Sequence, residues 1–289
     1  MNGREQNKGA NEMKIKLVTD CSSNICKNIT MDVAYVPMKI ITDEKEYIDT
    51  PELDVQKMLD EMKAYKGKSH SGCPGVQDWL DAFGDSDIVY ALTITSGLSG
   101  SYNSAMAAAS AYLEQKPDAK VYVQDSLSAG PVLELILEKY QSLIEEGREF
   151  DEVCAAIKEY TKHTHIVFAL ESLDNFAKNG RISPLVAKAA GLLGLRVVCT
   201  ASDIGTIEPV HKCKGQKRTL STILDMMHEQ GYNGGKVRIS HCNEAAANEM
   251  MQKILGEFPE ADISITPNRG LCSFYAEDGG VLVGFEDSK

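Results

Sequence analysis

The chain has 289 residues, of which 43 % are hydrophobic, and it carries a formal net charge of −12 at pH 7. This length predicts two domains, and the acidic balance excludes a general nucleic-acid binder and disfavours unaided docking on an anionic membrane surface. No apolar run approaches the ~20 residues that span a bilayer, and the N-terminus lacks the apolar core of a signal peptide. We therefore expect a cytoplasmic protein without integral membrane association.

Strands and helices alternate through the first half of the chain. Residues 1–12 are almost wholly polar, and we expect them to form a disordered extension. The apolar patterns predict strands at 15–19, 88–94 and 120–124, and a second apolar run lies at 33–41. They predict helices after the cap Asp54, through Trp79, at 100–115 and at 131–146, with a turn-rich loop at 67–75. This alternation is typical of a parallel sheet with helices on both faces.

The second half opens with a helix and continues with strands, a hairpin and two further helices. We expect a helix at 151–162, a strand at 166–170, a hairpin at 197–210, a helix at 216–230, a strand at 236–240, a helix at 243–256 and terminal strands near 262 and 282. The predicted fold class is α/β with two domains. A parallel-sheet N-terminal domain covers residues 13–160, and a second α/β domain covers residues 161–289.

Eight cysteines are scattered through the chain without a Cys-x-x-Cys pair. In a long chain without a secretion signal, reduced structural thiols are the expected state. His211 with Cys213, and His241 with Cys242, lack a second ligand pair at the spacing of a zinc finger. We predict neither a metal nor a cofactor.

An apolar strand that ends in hydroxyls and glycines is the most informative stretch of the chain. This hydroxyl loop, residues 95–100, contains Ser96, Gly97, Ser99 and Gly100. Backbone N–H groups and hydroxyls at such a turn form an anion site, and glycine lets the backbone approach the bound group. Because the loop has no lysine or arginine, it favours a singly charged carboxylate over a nucleotide triphosphate. In a purely structural alternative, the two serines only cap the following helix.

A second loop with hydroxyl side chains lies at residues 68–75 and contains Ser69 and Ser71. Serine, glycine and proline by themselves indicate only a turn. Two such loops in one α/β half can nevertheless converge at the carboxyl edge of the sheet, where ligands bind in this architecture.

A serine hydrolase or acyl transferase that uses Ser99 as its nucleophile is an alternative function. The nucleophile elbow has the pattern Gly-x-Ser-x-Gly, whereas Ser101 stands at the position of the second glycine. None of the six histidines lies in a motif that marks it as the required base. The chain also lacks the glycine-rich motifs that bind nucleotides.

One segment is basic in this acidic chain. Residues 178–218 contain eight basic residues and two acidic ones, so the segment carries +6 and the remainder −18. We interpret Lys178, Arg181 and Lys214 as docking residues for an acidic or phosphate-bearing partner. The alternatives are an ordinary solvated surface and, for Arg181, an internal salt bridge at the domain junction.

Several motifs together resemble those of the DegV family of bacterial fatty-acid-binding proteins. The stretch from Thr95 to Tyr102 is similar to the family's Ser-Ser-Gly-Leu-Ser-Gly-Thr-Tyr, and Lys178 to Ser183 is similar to its Lys-Gly-Gly-Arg-Ile-Ser. Further matches to family segments are found at 17–22, 71–74, 125–126 and 205–214. The resemblance covers the chain from residue 13 onward.

The resemblance implies a two-domain DegV-like fold that encloses one long-chain fatty acid between its domains. It assigns the carboxylate to the hydroxyls of Ser71 and Ser99, with Ser69 as the alternative if the loop register is shifted by two. It also implies that the fatty acid is presented to a separate acyl kinase, so that this protein is not itself an enzyme. A lipid-free regulatory or interaction protein is the remaining alternative.

The chain departs from the family pattern in three places. Ser71 stands where relatives have threonine, which keeps the hydroxyl, and Lys214 stands where they have arginine, which loses bidentate contact. Residues 274–280 lack the histidine that relatives carry near the C-terminus. The third partner of the carboxylate is therefore left open.

Overall fold

The computed structural model describes residues 13–190 and 195–288, and the predicted extension at 1–12 lies outside them. Its strands are β1 (Ile15–Asp20), β2 (Val33–Val36), β3 (Lys39–Thr42), β4 (Glu46–Ile48), β5 (Ser69–Gly72), β6 (Ile88–Thr93), β7 (Lys120–Asp125), β8 (Thr164–Leu170), β9 (Leu195–Ala201), β10 (Ile207–Lys214), β11 (Lys236–His241), β12 (Asp262–Pro267) and β13 (Val281–Glu286). Its helices are α1 (Val55–Ala64), α2 (Val76–Phe83), α3 (Ser101–Gln115), α4 (Pro131–Glu145), α5 (Phe150–Tyr160), α6 (Asp174–Lys178), α7 (Pro184–Ala190), α8 (Gln216–Glu229), α9 (Glu244–Glu257) and α10 (Gly270–Ala276).

The first sheet is parallel, with the strand order β2-β1-β6-β7. Every residue of β6 is buried because helices cover both faces of the sheet. Val89 and Ala91 pack toward Ala105 and Ala108 of α3, whereas Tyr90 packs toward α4. The small alanine side chains let α3 lie close to the sheet, and the predicted parallel architecture of this half is confirmed.

The apolar run at 33–41 contains two strands that belong to different sheets. Pro37 has no N–H group to continue a ladder, and β2 ends just before it. β3 then joins β4 and β5 in a small antiparallel sheet. The predicted loop at 67–75 therefore contains a strand, β5, whose polar sequence Ser-His-Ser-Gly has no apolar alternation to reveal it.

The second sheet is mixed, with the strand order β10-β9-β8-β13-β11-β12. Its β11–β12 pair is parallel and its other pairs are antiparallel, and the predicted hairpin forms as β9 and β10. Helices α8 and α9 cover one face. Helix α4 covers the other face and also packs on the first sheet. Since α4 belongs to both cores, a domain boundary at residue 160 stays a prediction.

Glu134 is a buried carboxyl group of α4 that faces the second sheet. The residue is 3 % exposed, and its Oε1 atom has no hydrogen-bond partner among the described residues. Burial and the negative charge of Glu138 raise the pKa of Glu134 to about 7, although the positive charge of Arg238 opposes the shift. The carboxyl group therefore titrates near neutral pH.

Glu134→Gln is expected to remove a pH-dependent loss of stability. Between pH 4.5 and about 7, the folded protein binds more protons at this group than the unfolded protein does. Its contribution to the free energy of unfolding therefore falls by about 3 kcal/mol as the pH rises through this interval, because one pKa unit corresponds to about 1.4 kcal/mol. Urea unfolding at pH 5 and pH 8 measures the difference. An equal effect of the substitution at both pH values would contradict this assignment.

Candidate functional site

An apolar cavity lies where the carboxyl edge of the first sheet faces the second sheet. Measured out to its open mouth, it encloses about 880 Å³ of space. Both halves of the chain supply apolar wall residues, among them Ile94, Leu98, Ala129, Ile166, Phe168 and Leu282. The position and the lining agree with the tail pocket that the sequence predicts between the halves.

Buried Asp20 ties the hydroxyl loop to the end of β1. Its Oδ2 atom accepts hydrogen bonds from the Ser101 hydroxyl at 2.7 Å and the Ile94 N–H at 2.9 Å. Its Oδ1 atom accepts from the N–H and the hydroxyl of Ser22. Burial raises the pKa of Asp20, and the four hydrogen bonds oppose this rise. The carboxyl group thereby holds the residues on both sides of the loop.

The backbone N–H groups of residues 95–99 in the hydroxyl loop have acceptors within the protein. The Ser96 N–H donates to the Asp125 carboxylate at 3.1 Å, and the Gly97 N–H donates to Thr95 Oγ1 at 3.1 Å. The N–H groups of the next two residues both donate to the Thr95 carbonyl at 3.2 Å. The predicted role of free N–H groups therefore does not hold for residues 96–99, and the hydroxyls remain as donors.

The glycines of the hydroxyl loop let other parts of the same chain come close. A Cβ atom at Gly97 would lie 2.6 Å from the Ile204 carbonyl oxygen in the β9–β10 hairpin. A Cβ atom at Gly100 would lie 3.1 Å from the Cys73 sulfur after β5. The described cavity wall includes neither glycine. The glycines thus serve the packing of three loops, which differs from the ligand approach predicted for them.

Two of the four serines predicted in the two loops reach the cavity. Ser71 and Ser99 line it, whereas Ser69 and Ser96 are not among the described residues of its wall. Ser71 lies in β5 and Ser99 in the hydroxyl loop, so the two loops converge at the carboxyl edge of the first sheet.

Ser71 is held by residues of the second half. Its N–H donates to Asn179 Oδ1 at 3.1 Å, and its hydroxyl oxygen lies 2.7 Å from the Tyr275 hydroxyl oxygen. The ring of Tyr275 stacks on Phe176 with 4.5 Å between the centroids. Burial raises the pKa of Tyr275, whereas the hydrogen bond with Ser71 and the charge of Arg181 oppose this rise. The phenol therefore keeps its proton at neutral pH.

Phe176, Asn179 and Tyr275 are site residues that the sequence motifs do not predict. The available signal is the hydroxyl of Tyr275, which lies in the stretch where the histidine of relatives is absent. For Asn179 no local signal exists, since it reaches Ser71 across 108 residues of sequence.

Arg181 lies in the cavity wall, whereas Lys178 and Lys214 are exposed. Its Nε atom donates to the Leu98 carbonyl at 3.1 Å, and its Nη1 atom donates to the Asn179 carbonyl at 2.5 Å. No ion pair of Arg181 is found in the described part of the chain, which disfavours the internal salt bridge. The guanidinium supports the hydroxyl loop from the cavity side, a different position from the docking site predicted for it.

None of the helices within 13–190 and 195–288 is long and apolar enough to cross a membrane. The same residues contain no group of three or more His, Cys, Asp or Glu side chains that could hold a metal ion. All eight cysteines are free thiols in the structure.

Residues 14–287 match the family described as uncharacterised proteins of the DegV family. The chain belongs to the DegV family. Its relatives include a DegV domain-containing protein of Streptococcus pneumoniae, which is 42 % identical over 252 residues and is matched over 87 % of this chain and 90 % of that protein. A DegV domain-containing protein of Streptococcus gordonii is 39 % identical over 279 residues, which cover 95 % of this chain and 99 % of that protein.

Solved DegV structures share the fold along almost the whole chain. A DegV family protein from Eubacterium eligens loaded with heptadecanoic acid has a TM-score of 0.92 at 44 % identity, with 95 % of this chain and 100 % of that chain covered. The Fatty Acid Kinase (Fak) B3 protein of Streptococcus pneumoniae, loaded with linoleic acid, has a TM-score of 0.92 at 38 % identity, with 95 % and 99 % covered. The predicted DegV-like α/β fold is confirmed.

Proposed function

We propose that this DegV family protein binds one long-chain fatty acid and is not itself an enzyme. The cavity between the two sheets carries the proposal, because its walls are apolar except for a few polar groups that include the hydroxyls of Ser71 and Ser99. The hydroxyls donate to the carboxylate, and Arg181 supplies a positive charge in the same wall. The fatty acids held by the two solved relatives support this function.

The free energy gained by burying the tail and by hydrogen bonding the carboxylate is large enough for an acidic protein to bind a fatty acid. Burial of each CH₂ group contributes about 0.8 kcal/mol, so a C16 tail contributes about 11 kcal/mol before the cost of association. A hydrogen bond from a hydroxyl to a charged carboxylate adds ~1.5–3 kcal/mol. Both contributions are local to the cavity and are little affected by the net charge of −12.

The hydrolase alternative lacks a base beside its nucleophile. No histidine is found among the described residues that line the cavity. The Ser99 hydroxyl oxygen accepts a hydrogen bond from the Ser101 N–H at 3.2 Å, whereas a nucleophilic serine needs a base to accept its proton. The geometry therefore favours binding over acyl transfer.

Organic extraction of the purified protein, followed by mass spectrometry, tests the proposed function. We expect one fatty acid per chain, and we expect delipidated protein to rebind a C16 or C18 acid with submicromolar Kd in calorimetry. Release of acid from a fatty ester would support the hydrolase instead. Failure of the delipidated protein to bind any fatty acid would favour the lipid-free regulatory protein.

We further propose that the bound fatty acid is presented to a separate kinase, which phosphorylates the carboxylate. The solved relative from Streptococcus pneumoniae is the B3 protein of a fatty acid kinase. Ser96, Gly97 and Gly100 of the hydroxyl loop are exposed, so this end of the cavity lies near the surface. Lys178 and Lys214 are exposed within the basic segment and are complementary to an acidic partner surface.

Lys178→Ala combined with Lys214→Ala is expected to lower acyl phosphate formation with the cognate kinase by about tenfold at low ionic strength, because surface cations accelerate encounter with an acidic partner. Fatty acid affinity should not change, since neither lysine is in the described cavity wall. Lys57→Ala with Lys66→Ala is the matched control, because both residues are exposed outside the basic segment. Undiminished phosphorylation of the Lys178/Lys214 variant would refute the docking surface.

A further inference from the structure

Tyr275 presents a hydroxyl group to the cavity from the second half of the chain. Its ring is held between Phe176, with which it stacks at 4.5 Å, and Phe274, which it meets edge to face at 5.0 Å. The two ring contacts fix the direction of the phenol. Its oxygen lies 2.7 Å from the Ser71 hydroxyl oxygen, and both residues line the cavity.

The hydrogen bond between these hydroxyls leaves one of the two hydroxyl protons without an acceptor among the described residues. Each hydroxyl has one donor proton and two acceptor lone pairs, and the bond between Ser71 and Tyr275 uses only one of the two protons. No other acceptor for either hydroxyl is found in the part of the chain that the structure describes. The remaining proton is therefore available to an acceptor in the cavity, and an anion that accepts from both hydroxyls would use both protons.

Two further observations indicate that this acceptor is an anion. Arg181 and Tyr275 both line the cavity, and Arg181 is the one charged residue among the described residues of the cavity wall. Burial keeps the phenol protonated at neutral pH, so that it can donate. A phenol is also more acidic than an aliphatic hydroxyl and is therefore the stronger donor.

We propose that Tyr275 is a ligand of the fatty acid carboxylate, to which its hydroxyl donates a hydrogen bond beside those of Ser71 and Ser99. The inference rests on the proposed function. On binding, the bond between Ser71 and Tyr275 is exchanged for two bonds to the carboxylate. Hydroxyls from both halves of the chain then surround the carboxylate. The site selects a free acid over an ester, because hydrogen bonds to a charged acceptor are stronger than those to a neutral one.

Tyr275→Phe tests the inference, because the substitution removes the hydroxyl and keeps the ring on Phe176. Calorimetry on the delipidated protein with palmitic acid should show a Kd raised about tenfold or more, whereas the Kd for methyl palmitate should rise less. Tyr122→Phe is the matched control, since the Tyr122 hydroxyl donates to Gln124 outside the described cavity wall. An unchanged Kd for palmitic acid in Tyr275→Phe would overturn the inference.

A double-mutant cycle separates a ligand from a residue that only orients Ser71. If Tyr275 contacts the carboxylate itself, Tyr275→Phe weakens binding again in the Ser71→Ala background. If it only positions Ser71, the second substitution has no further effect, and the inference fails. Should wild-type protein bind no fatty acid at all, the proposed function fails first.

A spectroscopic measurement covers the case in which Tyr275→Phe does not fold. In wild-type protein labelled with ¹³C at the tyrosine Cζ position, one signal should shift when palmitic acid binds. The same signal should shift less with hexadecane, which fills the tail cavity but offers no acceptor. Identical responses to palmitic acid and hexadecane would overturn the inference.

Discussion

Simultaneous replacement of Ser71 and Ser99 by alanine is expected to weaken fatty acid binding by about 3 kcal/mol, more than a hundredfold in Kd. A hydroxyl that donates to a charged acceptor contributes ~1.5–3 kcal/mol, and both hydroxyls lie in the wall of one cavity. The free energy of unfolding of the ligand-free protein should change by only about 1 kcal/mol, because each serine is partly exposed and makes few bonds. Calorimetry and urea unfolding measure the two quantities.

Ser69→Ala with Ser96→Ala is the matched control for this variant. These serines belong to the same two loops but are not among the described residues of the cavity wall. The control should bind palmitic acid as wild-type protein does. If the control loses affinity and the Ser71/Ser99 variant keeps it, the register of the loops relative to the ligand is wrong. If both retain full affinity, the hydroxyls do not hold the carboxylate.

Arg238→Met is expected to lower the free energy of unfolding by about 3 kcal/mol, because the buried Glu138 carboxylate loses its bidentate partner and keeps only Lys236, whose Nζ atom lies 3.2 Å from its Oε2 atom. The Arg238 side chain in β11 is 2 % exposed, and it forms a bidentate pair with Glu138 of α4 at 2.6 and 2.7 Å. It also donates to Asp262 at 3.0 Å. Burial alone would raise the pKa of Glu138, but the hydrogen bonds and charge of Arg238 hold this pKa below its usual range. Urea unfolding at pH 7 measures the loss.

Two variants test whether the loss comes from the Glu138 carboxylate that loses its guanidinium partner. Lys162→Met removes an exposed partner of Glu159 and should change the free energy of unfolding by less than about 0.5 kcal/mol. Adding Glu138→Leu to Arg238→Met removes the buried negative charge that Arg238 no longer balances, so the double variant should regain a large part of the stability. If the double variant is less stable than Arg238→Met, the contribution of Arg238 is packing rather than charge.

Local sequence patterns by themselves determined most elements of this protein. The apolar runs of β1 and β6, the cap Asp54 before α1 and the alanine-rich face of α3 each combine residues that are neighbours along the chain. A hydrophobic period or a helix cap involves only residues within a few turns of one another. It can therefore be recognised in the sequence without knowledge of the fold. The hydroxyl loop could be predicted for the same reason, whereas the choice of Ser71 and Ser99 within the two loops came from the resemblance to the DegV family.

Only the tertiary structure decided which side chains meet at the cavity and in the core. Arg238 stands in an alternating strand pattern that is typical of one solvated face, yet α4 covers that face and supplies Glu138. Arg181, Asn179 and Tyr275 reach the two loops from positions 83, 108 and 204 residues away in the sequence. Such contacts depend on how whole elements pack, and the local pattern around each residue is compatible with a surface position as well as with the site.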